Sequence, residues 1–430
     1  MPRHVIVVHY HELWLKGRNR KFFLGKLDVA LRRALDGLPI ERIERPGDRL
    51  LVELGEGVAL EEAIRRVERV FGVAYYAMAR PVERDADPAL RALCQAAWEE
   101  VQSERFATLA VRTKRSDKTF PLRAAEIESI VGRSLLEHLR AAGREVRVHL
   151  DDPELTCRIE VTPGPILVYA RKIPGPGGLP ANTGGRMVSL LSGGFDSAVA
   201  AYKMMKRGAH LTFVHFWGGG ARPGEASHHV ARELVRKLVP YQFTAKLYLV
   251  PFEPIQRETV RSAPEAYRLL LYRRLMLRIA EQLAYKEHAQ AIVIGDSLGQ
   301  VASQTLHNMV AVGSAARMPL FRPLAGDDKQ EILALARKIG TYEISAEPFH
   351  DCCPAYLPRT PALHATPEKL DQAEAMLDLA ALVRRGVETA IAERFRYAAG
   401  RVEQAETRPH PSTTLAAGPS AALGTRSTNA

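Results

Sequence analysis

The stretch "LLSGGFDSAVAAYKMMKRG", Leu190 to Gly208, constrains this chain more than any other. A short apolar run, Val188 to Leu191, leads into Ser192-Gly193-Gly194, after which Val199, Ala200, Met204 and Met205 recur at roughly helical spacing. That pattern predicts strand, tight turn and helix, with Gly208 closing the helix before a second strand in "AHLTFVHFW". Gly193 and Gly194 let a bound group approach the backbone, the first helical turn offers N–H groups to an anion, and Ser192 and Ser197 add hydroxyl donors. No Gly-Lys-Ser/Thr follows, so the loop is not one that reaches phosphates with its own lysine. On residue chemistry alone a purely structural turn stays open beside a nucleotide site.

The chain alternates strands such as "AKLYLVPF" and "QAIVIGD" with helices such as "LLLYRRLMLRIAEQLAYKE" and "QEILALARKIG", which implies parallel crossovers and a layered α/β core. At 430 residues, 46% of them apolar, two or three separate cores are expected. "IPGPGGLPANTGG", Ile173 to Gly185, is the clearest junction, a long helical region is expected from Glu368 to Phe395, and the text from Gly400 has the composition of a flexible tail. In open parallel sheets ligands bind beyond the carboxyl ends of strands, which selects Gly193 and Gly194, then His215 and Phe216, then Gly295 and Asp296.

No apolar stretch reaches bilayer-spanning length, and "MPRHVIVVHYHELWLKG" lacks the apolar core and cleavage site of a signal peptide, so a cytoplasmic protein without a membrane partner is expected. Cys94, Cys157, Cys352 and Cys353 are too few and too uneven for a secreted disulfide framework. A formal charge of +11, from 60 basic against 49 acidic residues, suits a polyanionic partner and equally a solubilising surface.

"SGGFDS" resembles the pyrophosphate-binding loop of the N-type ATP pyrophosphatases, which split ATP to AMP and pyrophosphate. With "GPGGLP" from Gly175, "GDSLGQVASQTLHNM" from Gly295 and "GTYEISAEPFHDCC" from Gly340, the chain resembles the bacterial tRNA 4-thiouridine synthetases over about residues 4 to 395. The resemblance implies a multidomain α/β fold: an N-terminal ferredoxin-like domain over 1–75, a THUMP RNA-binding domain over 76–172, a linker over 173–185, a layered parallel-sheet ATP-pyrophosphatase domain over 186–399 and a tail over 400–430. In the first, "ELWLKGRNRKFF" carries the family signature at Glu12, Lys16, Gly17, Arg20 and Phe23, with His11 where glycine is usual. In the second, Arg112, Lys114, Arg115, Lys118 and Arg123 form the densest basic group, suited to backbone phosphates.

The same resemblance implies ATP and Mg2+ as cofactors, with backbone around Leu190-Leu191 and His215-Phe216 lining the adenosine pocket and Arg273, Gly295 and Gln304 completing the contacts of Ser192, Gly193, Gly194 and Ser197. Asp196 would hold the metal and Lys329 would neutralise substrate charge, although Asp327-Asp328 before it can equally begin a helix. Cys352 matches the family's sulfur-carrying position, and Cys353 or an external thiol would resolve the intermediate. The implied reaction is adenylation of uridine 8 in tRNA followed by sulfur transfer from a protein persulfide, giving 4-thiouridine. No rhodanese-like segment follows, so a cysteine desulfurase or another persulfide donor is expected as partner. A homodimer is open as an assembly, and sulfur delivery to a carrier protein in thiamine thiazole synthesis and a tRNA-binding protein without catalysis remain the alternatives.

Overall fold

A computed structural model of the chain describes residues 5–84, 90–218, 227–347, 356 and 358–407. The first unit is built from β1 (Val5–His9), α1 (Arg20–Ala34), β2 (Ile40–Glu44), β3 (Arg49–Leu54), α2 (Leu60–Val67) and β4 (Tyr75–Val82). The second adds α3 (Arg91–Val101), β5 (Thr108–Arg115), α4 (Ala124–Ala141), β6 (Arg147–Val148), β7 (Leu155–Val161) and β8 (Ile166–Tyr169), after which β9 (Ile173–Pro174) returns to β4. Their strands do not form two sheets. They join in one nine-stranded sheet of order β2-β3-β1-β4-β8-β7-β5-β6, with β9 paired to β4 off this path, because β4 pairs with β1 through Tyr75–Ala79 and with β8 through Arg80–Val82.

A buried polar knot crosses that seam. The Glu160 carboxylate on β7 lies 3.0 Å from His9 Nε2 on β1, accepts the Tyr169 hydroxyl at 2.6 Å from β8, and pairs with the fully buried Arg49 of β3. Burial alone would raise the Glu160 carboxyl, but the hydrogen bond and charge of His9, with Arg49 and Tyr169, outweigh it and hold it below the usual carboxylate range.

The glycine- and proline-rich junction is clamped at both ends. Gly175 and Gly177 N–H donate to the Ala74 and Val73 carbonyls at 3.0 and 2.8 Å, and Leu179 N–H donates to the Lys206 carbonyl at 2.9 Å. Gly178 is required there, since its φ is +77° and a Cβ would lie 2.1 Å from the Lys206 oxygen.

Beyond the junction run β10 (Arg186–Leu190), α5 (Phe195–Lys206), β11 (His210–Trp217), α6 (Ser227–Leu238), β12 (Thr244–Pro251), α7 (Glu253–Ser262), α8 (Arg268–Lys286) and β13 (Ile292–Val293). After these come α9 (Leu306–Gly313), β14 (Leu320–Phe321), α10 (Lys329–Ile339), α11 (Tyr342–Ser345), α12 (Pro367–Glu374), α13 (Leu379–Glu388), β15 (Ile391–Ala398) and β16 (Arg401–Thr407). The sheet order is β14-β13-β10-β11-β12-β15-β16, parallel from β14 to β12 and antiparallel at β15 and β16. Alternation along β11 splits the core: Leu211 and Phe213 pack with α5 and α6, whereas Val214 and Phe216 pack with α8. The first unit shares the α5–α6 core, with Phe71 inserted against Tyr202 and Tyr241 at ring distances of 5.3 and 5.2 Å.

Two expectations are corrected here. The helical region expected from Glu368 to Phe395 ends at Glu388, and Ile391–Ala398 is a strand whose alternate residues Glu393, Phe395 and Tyr397 are buried. The tail expected from Gly400 instead begins with β16, which pairs with β15 from Ala398↔Arg401 to Ala392↔Thr407. Its polar side chains hid it, since an edge strand needs backbone partners more than an apolar face.

Candidate active site

The strand order reverses around β10, whose neighbours β11 and β13 lead the chain to opposite sides of the sheet, so a crevice opens beyond its carboxyl end. Leu190 ends β10 and Leu191 is buried beneath the turn. Gly193 has φ +86°, and Gly194 stands at the N-cap of α5, where no side chain caps the helix. The loop is shaped internally by Ser197. Its hydroxyl accepts Ser192 N–H at 3.1 Å and donates to the Gly194 carbonyl at 3.0 Å, while Gly194 N–H donates to Ser192 Oγ at 3.3 Å. The buried Ser197 hydroxyl therefore holds the turn rather than facing the crevice.

Gly295, just beyond β13, presses against the start of α5. A Cβ at this position would lie 2.8 Å from Ser197 N and 2.9 Å from Asp196 C, closer than side chains tolerate. This contact brings the segment after β13 over the loop, and with it Gln300, whose Nε2 donates to Asp196 Oδ2 at 2.8 Å. On the other carboxylate oxygen, Lys329 Nζ donates at 2.7 Å. The Asp-Asp-Lys run begins a helix: Asp328 caps α10, accepting Gln330 and Glu331 N–H at 2.7 and 2.9 Å, while Asp327 pairs with Lys203 of α5 and Lys329 reaches Asp196.

Arg273 and Gln304 converge on a different carboxylate. Arg273 pairs with the buried Asp296 and donates to the Ser303 carbonyl at 3.0 Å, Gln304 Nε2 lies 3.5 Å from the same Asp296 oxygen, and Arg322 lies 3.6 Å from the other. The cavity beside Arg273 and Leu190 holds only about 40 Å3, against the roughly 300 Å3 and more of ordinary ligand pockets.

The side chains of His215 and Phe216 are buried. Nδ1 of His215 donates to the Leu191 carbonyl at 2.7 Å, since a carbonyl oxygen only accepts. Burial drives its pKa down to about 4, partly opposed by that hydrogen bond, so the ring stays neutral while it supports the loop.

The structure thus gathers Ser192, Gly193, Gly194, Asp196, Gly295 and Lys329 at one crevice and places Arg273 and Gln304 together beside it. Cys352 and Cys353 lie outside the described residues. Gln300 was not selected from sequence, and its only signal was a polar amide in the loop after β13.

Family models match all three parts of the chain: ThiI ferredoxin-like domain over residues 5–77, THUMP domain over 84–171, and Thiamine biosynthesis protein (ThiI) over 182–379. A probable tRNA sulfurtransferase of Thermus thermophilus is 44% identical over 373 residues, spanning 87% of this chain and 89% of that protein. The chain belongs to the tRNA sulfurtransferase family. A second member of the family, a probable tRNA sulfurtransferase of Moorella thermoacetica, is 39% identical over 89% of this chain and 95% of its own. Among solved structures, a 4-thiouridine synthetase–RNA complex with bound ATP superposes with a TM-score of 0.81 at 31% identity, over 91% of this chain and 99% of that one.

Proposed function

We propose that this chain is an ATP-dependent sulfurtransferase that converts uridine 8 of tRNA to 4-thiouridine. The observation that carries the reading is the meeting of Asp196 and Lys329 at the uncapped start of α5, in a member of a family whose solved relative holds RNA and ATP. The α5 N-terminus and the Gly193-Gly194 turn would cradle the phosphates. ATP supplies the pyrophosphate and AMP leaving groups when bound. Lys329 would offset charge on the α-phosphate as the uridine O4 attacks it and pyrophosphate departs.

Among the described residues no cluster of three or more His, Cys, Asp or Glu could hold a metal by itself. A single carboxylate, Asp196, fits Mg2+, which binds through one or two carboxylates together with substrate phosphates and water. Mg2+ there would neutralise the departing pyrophosphate. Gln300 and Lys329, each bonded to one Asp196 oxygen, would orient the carboxylate that holds the metal.

Sulfur would arrive as a persulfide on Cys352, loaded by a cysteine desulfurase or another donor. The terminal sulfur attacks C4 of the adenylated uridine as AMP leaves, and a thiol, Cys353 or an external one, then attacks Cys352 Sγ to form a disulfide and release 4-thiouridine. The N-terminal sheet would hold the RNA, and the final domain would receive the base. The description of the matched family model, a thiamine biosynthesis protein, favours sulfur delivery to a carrier protein as the second reading.

The test is incubation of the protein with ATP, Mg2+, tRNA, cysteine and a cysteine desulfurase. AMP and pyrophosphate release dependent on tRNA, with 4-thiouridine detected by mass spectrometry, is expected. Cys352→Ser should remove the thiolated nucleoside while leaving pyrophosphate release. Release triggered by a sulfur-carrier protein and not by tRNA would overturn the reading in favour of the second.

A further inference from the structure

A second concave surface lies away from the nucleotide crevice. A groove of about 630 Å3 lies at the opposite edge of the second sheet, where the parallel strands begin. Arg186 and His210, the first residues of β10 and β11, are register partners on its floor. Thr244 opens β12 beside Arg396, and one pleat further along Thr212, Lys246 and Arg394 follow each other across β11, β12 and β15. The helix α8 ends at Lys286, one residue before the Glu287 that lines the groove.

The groove is lined by cations in excess. Its acidic side chains are Glu287 and Glu403, and Glu287 is already engaged by Lys246 at 2.6 Å and by Tyr248. Arg186, Arg394 and Arg396 are exposed and have no carboxylate within ion-pair distance among the described residues. Glu403 faces Arg396 in register without closing such a pair. Arg33 of α1 adds a further charge from the N-terminal unit. Its guanidinium sits 4.5 Å over the Phe243 ring, and burial first, then the charge of Arg396, pull its pKa below the arginine value. Burial and the charges of Arg186 and Arg33 likewise keep His210 below its usual value, with Glu287 opposing. Like charges packed this way raise each other's free energy, and an anion laid across them relieves it.

We infer that this groove is a second contact surface for the tRNA, one that grips phosphodiester oxygens with Arg186, Arg394 and Arg396 while the opposite edge of the same sheet performs the chemistry. The inference rests on the reading of tRNA as substrate. Exposed guanidinium forks suit phosphate oxygens bidentately, and Arg394 and Arg396, two residues apart on β15, stand ~7 Å apart along the strand. The β15–β16 turn binds the groove to the N-terminal unit: Ala399 N–H reaches the Asp36 carboxylate at 3.3 Å, and Gly400 abuts the Arg66 guanidinium. One RNA backbone could therefore pass from the N-terminal sheet onto the catalytic domain without leaving the protein surface.

The experiment is tRNA binding by the full chain across a salt series, for the wild type, Arg394→Gln/Arg396→Gln and Arg394→Lys/Arg396→Lys, with thiolation of the same tRNA measured in parallel. Loss of two phosphate contacts should make the plot of log affinity against log salt shallower by about 1.5 and weaken binding several-fold at low salt. The lysine variant should keep the wild-type slope, and the glutamine variant should raise KM for tRNA without lowering kcat. An unchanged slope in the glutamine variant would overturn the inference, since the arginines would then serve packing and not charge. Wild-type protein that binds tRNA yet forms no thiolated nucleoside would remove the functional reading and leave the groove judged on slope alone. Wild-type protein without tRNA affinity would overturn both.

Discussion

Glu12 and Arg207 form a two-bond ion pair, Nη1 to Oε2 at 2.9 Å and Nη2 to Oε1 at 2.6 Å, that ties the N-terminal unit to the residue ending α5. The hydrogen bond to Arg207, with charge added from Arg207, Lys16 and Lys206, holds the Glu12 carboxyl below the usual range against its partial burial. Both side chains are part exposed, at 32% and 51%, so the pair contributes only about 0–1 kcal/mol of stability. Because the folded pKa is lowered, that contribution is present above the unfolded value of 4.5 and is lost as pH falls through the folded one. Glu12→Gln should leave the melting temperature nearly unchanged at pH 7 and raise KM for tRNA, because the helix bearing the loop loses its tether to the unit proposed to hold the RNA. An unaltered KM would show that the pair is decorative.

Asp196→Asn retains the Gln300 hydrogen bond and the helix start but removes the charge that answers Lys329. Pyrophosphate release should fall by about 10²–10³-fold, as when a single charge-stabilising group is removed from an active site, with tRNA affinity little changed. Lys329→Gln should do the same. Normal release at saturating Mg2+ in either variant would remove that residue from the mechanism.

Gly295→Ala tests the contact between β13 and α5. The added methyl must displace Ser197 N or Asp196 C, each under 3 Å away, which should cost about 1–3 kcal/mol in denaturant unfolding. ATP binding should weaken alongside, because the same backbone places the loop. A variant as stable and active as the wild type would show that the two segments separate freely.

His215 predicts a pH dependence. Its folded pKa of about 4 lies below the ordinary 6.5, so between these values the unfolded chain binds the proton that the folded one refuses. Stability is therefore fully present above about pH 6.5 and is lost as pH falls towards 4, by at most about 3 kcal/mol. Urea unfolding of the wild type and His215→Gln at pH 7.5 and 5 should show a steeper loss for the wild type. Parallel losses would mean that the ring is already protonated or accessible.

The strand-turn-helix at Leu190 was legible because its glycines, apolar run and helical period are all local. The meeting of Lys329 and Gln300 on Asp196 was not, since the three lie 133 and 104 positions apart and only sheet order brings them together. Lys329 stands out by its charge after Asp327-Asp328, whereas Gln300 offers neither charge nor glycine geometry. The β15–β16 hairpin was hidden by chemistry of another kind. Arg394 and Arg396 interrupt the apolar side chains of β15 and read as a helix surface until their alternate neighbours are seen to be buried.

The nine-stranded sheet has a practical corollary for anyone who would take this molecule apart. One edge of β4 is occupied by β1, and the other is shared between β9 at Tyr75–Tyr76 and β8 at Arg80–Val82. Cutting the chain after β4 would strip one whole edge of that strand of its hydrogen bonds and leave His9 and Arg49 without the carboxylate they enclose. The ferredoxin-like and THUMP parts have separate names, yet the smallest piece expected to survive alone in water contains both.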